Sequence, residues 1–116
     1  MIYIPKYDRK QISFIERSIA DVLGIDKDTY MDVGGIPKGN ERIARYMWVY
    51  FVYNNTSLGV EDIADMIGRH HSNVSRAIAS VRVWRRKRGK YYAERKIVKQ
   101  VKEKIDEQTR ILATSN

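Results

Sequence analysis

Cysteine is absent from the 116-residue chain, and proline and histidine occur twice each. Without cysteine, neither a disulfide framework nor a thiolate-bound metal site is available. With prolines only at Pro5 and Pro37, nearly the whole chain is free to be helical. Long apolar runs are also missing. The longest, YMWVYFVY at residues 46–53, has eight residues, whereas a membrane-crossing helix takes about 20. The amino end, MIYIPKYDRK, lacks the apolar stretch of a secretory signal, so a cytoplasmic protein is expected. No Walker-type glycine–lysine loop is present to cradle a nucleoside triphosphate. Nor is there a set of acid, base and nucleophile that would mark an enzyme. A non-catalytic chain with no cofactor and no bound metal is expected.

The length suits one domain over residues 1–116, large enough for a modest core. Its charge is unevenly spread. Residues 1–68 carry eight Lys/Arg against ten Asp/Glu, a net of −2, and residues 69–104 carry thirteen against two, a net of +11. The last twelve residues add −1, which completes the total of +8. A segment so basic favours a polyanionic partner, through attraction and through release of condensed counterions.

Apolar residues recur at helical spacing along most of the chain. Ile12, Ile15, Ile19, Ala20 and Leu23 predict a helix over residues 11–23, stopped by Gly24. Asp26 is placed to cap a short second helix in DKDTYMDV. VGGIPKGN, residues 33–40, reads as a loop, with Asn40 as the cap of a helix from Glu41 to about Tyr53. That helix is apolar all round from Tyr46 on, which predicts the central core element. Two further helices carry Val60, Ile63, Ala64 and Ile67, then Val74, Ala77, Ile78, Val81 and Trp84. The link RRKRGK leads to a last helix with Ile97, Val98, Val101 and Ile105 on one side, against which Tyr91 and Tyr92 are expected to pack. The expectation is an all-α domain of about five to six helices.

Ala64, Gly68 and Val74 stand at relative positions 1, 5 and 11, followed by Ala77 and Ile78. This is the spacing of a helix-turn-helix, here over about residues 60–84. The small residue admits the crossing helix, the glycine takes the positive φ of the turn, and the valine seats the second helix. The first turn of the second helix then projects outward, as in motifs that enter the DNA major groove. In GRHHSNVSRAIASV, residues 68–81, it presents His70, His71, Ser72, Asn73, Ser75 and Arg76. Asparagine can pair with adenine, serine with several groups, and arginine with guanine or phosphate. Ser72 is also a candidate cap for that helix. The two histidines do not suggest a metal site, since adjacent helical residues do not face one another and no carboxylate sits at ligand spacing.

GRHHSNVSRAI also resembles the signature of the C-terminal DNA-binding domain (domain IV) of DnaA, the bacterial replication initiator, a helix-turn-helix of the Trp-repressor-like type. That signature reads approximately G-R-D-H-T-T-V-x-x-A, and Gly68, Arg69, His71, Val74 and Ala77 match it. The likeness extends through IADVLGIDKDTYMD, ERIARYMWVYFVYNNTS and VEDIADMIG, over roughly residues 12–110. It implies base contacts by His71 and Ser72, with Asn73 close by, and binding as a monomer to an asymmetric site. It also implies that Arg69 and the loop residues Lys38 and Arg42 hold DNA. His70 replaces the family's aspartate, a single Gly68 replaces its glycine pair, and the loop before the core helix is less basic. These departures point to a target other than the usual initiator box. Among the basic residues that follow (Arg82, Arg85, Arg86, Lys87, Arg88 and Lys90), the expected phosphate contacts are Arg85, Arg86 and Lys87. Expected partners are double-stranded DNA and other replication or regulatory proteins, with no membrane. The alternatives are a transcriptional regulator of a phage or mobile element, an RNA-binding module, and an interaction protein whose basic helix docks an acidic partner.

Overall fold

The computed structural model describes residues 3–32, 39–86 and 89–114. Among them are six helices and no strand, the all-α class expected from the periodicity. The first, α1 (Lys6–Leu23), starts at Lys6 rather than at Gln11. Its polar opening turn is held from outside: the buried Asp8 carboxylate accepts from the Ser57 hydroxyl at 2.5 Å and backbone N–H at 3.3 Å. Gly24 stops the helix as expected, at φ 69° with its N–H on the Ala20 carbonyl. Asp26 then caps α2 (Lys27–Met31), accepting from the Thr29 N–H at 2.9 Å. That bond and a second from the Thr29 hydroxyl hold the Asp26 carboxyl below its ordinary value.

The third helix, α3 (Gly39–Asn55), begins before Asn40, so Asn40 lies inside its first turn and is not its cap. Met47, Trp48, Val49, Tyr50, Phe51 and Val52 are consecutive and all buried, which makes α3 the centre of the core. Helices α1 and α2 pack on one side of it, α4 (Val60–Ile67) and α5 (His71–Arg86) on the other. The last helix, α6 (Tyr92–Thr114), lies against α1 and α5 through Val98, Val101 and Ile105. Tyr91 is half-buried, but Tyr92 is 59% exposed and does not pack as expected. No helix among the described residues is long and apolar enough to cross a membrane.

Candidate nucleic-acid interface

The turn between α4 and α5 is built around Gly68, whose φ of 65° is the left-handed conformation that favours glycine. The Arg69 N–H closes the turn on the Ala64 carbonyl at 3.0 Å. Ala64, Val74, Ala77, Ile78 and Val81 are all buried, so the α4–α5 pair is seated through the residues whose spacing marked the motif. The opposite side of α5 is left to solvent.

His70 is the cap of α5. Its Nδ1 accepts from the Ser72 N–H at 3.2 Å and lies 2.9 Å from the Ser72 hydroxyl. Ser72 therefore sits two residues too late to be the cap, correcting that expectation; it is the second residue of the helix. His70 lies outside the helix, and its ring leans on that of His71 with centroids 4.2 Å apart. His71, Ser72, Asn73, Ser75 and Arg76 are all exposed on the first two turns of α5. Together they offer hydroxyls, one carboxamide, one guanidinium and one imidazole to anything that approaches this end.

The other expected contacts are more widely spread. Arg42, exposed at the start of α3, lines a cavity of about 520 Å³ shared with Arg76 of α5. Arg85 and Arg86 stand at the far end of α5, both exposed. Lys38 and Lys87 lie outside the described residues. Arg69 is half-buried and departs from the exposed group: its Nη2 is buried and has no hydrogen-bond partner among the described residues. No group of three or more His, Asp or Glu residues close enough to hold a metal occurs among the described residues.

Two residues of the neighbourhood were not legible in the motif. Arg45, buried in α3, donates through Nε to the Tyr30 carbonyl at 2.6 Å and through Nη2 to the Asp32 carbonyl at 2.5 Å. It thereby closes the end of α2 onto α3. Burial, and next the Arg69 guanidinium, push Arg45 below the ordinary arginine value, while Asp32 opposes that. Tyr50 accepts a 2.5 Å hydrogen bond from Arg85 Nη1, and the same guanidinium lies 5.8 Å from the centre of its ring. Both links join residues far apart in the chain, and no local spacing announces them.

Compared with protein-family models, with curated proteins and with solved structures, the chain finds no match.

Proposed function

We propose that the chain is a non-catalytic domain that binds double-stranded DNA sequence-specifically, in the manner of the DnaA C-terminal domain. In this reading the start of α5 enters the major groove. His71, Ser72, Asn73 and Arg76 meet base edges, His70 and Ser75 lie alongside, and Arg42, Arg69, Arg85 and Arg86 hold phosphates. Lys38 and Lys87 join the phosphate contacts. The role is replication initiation or its regulation in the cytoplasm, beside other replication or regulatory proteins, with the domain acting as a monomer. A regulator from a phage or mobile element would use the same surface.

One observation carries the reading. Every polar residue at the start of α5 is exposed, while the other side of the same helix is buried against its neighbours. No fold requirement accounts for a histidine, an asparagine, two serines and an arginine gathered there. The basic segment of residues 69–104 supplies the attraction that such a surface needs. Selection of bound duplexes from a random pool tests it. A single asymmetric sequence is the expected outcome, and a pool that stays random after repeated rounds would remove base readout.

The exposure of Tyr92 beside the basic link favours a second reading, RNA binding with that ring stacked on a base. An A-form duplex has a major groove too deep and narrow for a helix. Competition separates the two: duplex DNA displaces a bound RNA probe under the first reading, and RNA displaces duplex DNA under the second.

A further inference from the structure

Helix α5 has an arginine-lined cavity on each flank. With its buried side set by Val74, Ala77, Ile78 and Val81, the helical period places Arg76, Ser80 and Trp84 along one flank. It places Arg82, Arg85 and Arg86 along the other. The first flank faces the cavity of about 520 Å³, closed by Arg42 and Ile43 of α3 and by Tyr91 and Glu94. The second faces a cavity of about 310 Å³ lined by Arg82, Arg85, Arg86 and Tyr50. None of these five arginines forms an ion pair with a carboxylate among the described residues.

Two tyrosines one turn apart on α3 set an arginine at each cavity. Tyr46 lies under Arg42, whose guanidinium carbon is 5.1 Å from the ring centre, and is itself stacked on Trp84 at 5.9 Å. Tyr50 holds Arg85 by its hydroxyl and its ring. An arginine fixed in this way loses less freedom on meeting an anion than one free in solvent. Apolar Ala79 and Val83 line the first cavity between the charges, a surface suited to a sugar.

We infer that α5 is straddled by the two strands of one duplex, each cavity taking the sugar–phosphate backbone of one strand. Arg42 and Arg76 hold the first strand; Arg82, Arg85 and Arg86 hold the second, with Tyr50 as a positioning residue for Arg85. This rests on the duplex-DNA reading and adds to it a docking geometry. It also moves Arg76 from base readout to the backbone. Glu94 is the one carboxylate lining either cavity among the described residues, and it opposes the phosphate there.

The test uses the full chain and a duplex carrying its selected sequence, with single neutral methylphosphonates scanned along each strand. Binding is measured at several salt concentrations. Wild type is expected to show two sensitive clusters, one per strand. Arg76→Ala and Arg42→Ala should each erase the first cluster alone, and Arg85→Ala the second alone, each lowering the salt slope by about 1. Tyr50→Phe should weaken the second cluster without lowering Tm, whereas a merely structural Tyr50 would lower Tm and leave the phosphate profile unchanged. Glu94→Gln should tighten binding. If Arg76→Ala and Arg85→Ala silence the same strand, or Arg85→Ala leaves slope and profile unchanged, the straddling geometry is overturned while duplex binding stands. If wild type binds no duplex at all, both fall together.

Discussion

His71 and Asn73 are exposed on the first turn of α5 and lie outside the buried core, so truncating them should spare the fold. Under the groove reading, His71→Ala and Asn73→Ala each cost about 1–3 kcal/mol against the selected sequence and relax its specificity. Titration of each variant against the selected and scrambled duplexes checks this, and unchanged discrimination by both would move base readout elsewhere. His70 has a different job. Because its Nδ1 accepts the Ser72 N–H, His70→Ala should destabilise the domain by about 1 kcal/mol, as loss of a side-chain cap does. His70→Asn, which keeps a capping acceptor, should restore it. Denaturant midpoints of the three proteins decide the point. A histidine is a weak sequence signal for a cap, which is why Ser72 stood out instead.

At the scale of elements, the turn between α4 and α5 depends on one backbone conformation. A Cβ at Gly68 meets nothing within 4 Å, so the cost of Gly68→Ala comes from its φ of 65° alone. That cost is about 1–2 kcal/mol. Gly24→Ala provides a control, since Gly24 has a similar φ of 69° and equally open space at the end of α1. Both variants should lose comparable stability in urea, but only Gly68→Ala should also weaken DNA binding, because only that turn aims α5. The buried sides of α1, α4, α5 and α6 were legible because apolar spacing records which side of each helix faces the core, while α2 was legible only through its Asp26 cap. Helix starts were less so. The first turn of α1 is fixed by Asp8 reaching Ser57, 49 residues away, a contact that no local pattern announces. Asn40 has the right chemistry for a cap, yet the helix already includes Gly39 before it. On the candidate site, spacing placed His71, Ser72, Asn73, Ser75 and Arg76 outward, with Val74 turned to the core. The pairing of Arg85 with Tyr50 depends on how α5 crosses α3, which spacing does not encode.

Across the whole molecule, Arg45 ties the end of α2 to the core helix α3. Its two carbonyl acceptors lie 15 and 13 residues earlier in the chain. Arg45→Met keeps much of the packing volume but leaves those carbonyls without their charged donor, a loss of about 1–3 kcal/mol. Denaturant unfolding should show that loss, and hydrogen exchange should quicken first in α2, the element the bonds hold shut. Uniform quickening of all six helices would mean that Arg45 serves global packing only. The His70 cap has a consequence on this scale too. The resembling family has an aspartate there, which would set a full negative charge beside the first turn of α5. An imidazole accepting through Nδ1 brings none, and the first turn of α5 holds no acidic residue. The positive end of the α5 dipole, worth about half an elementary charge, is thus left unmasked. Under the duplex-DNA reading, a cap that adds no anion lets α5 itself supply part of the attraction that the resembling family draws from its more basic loop.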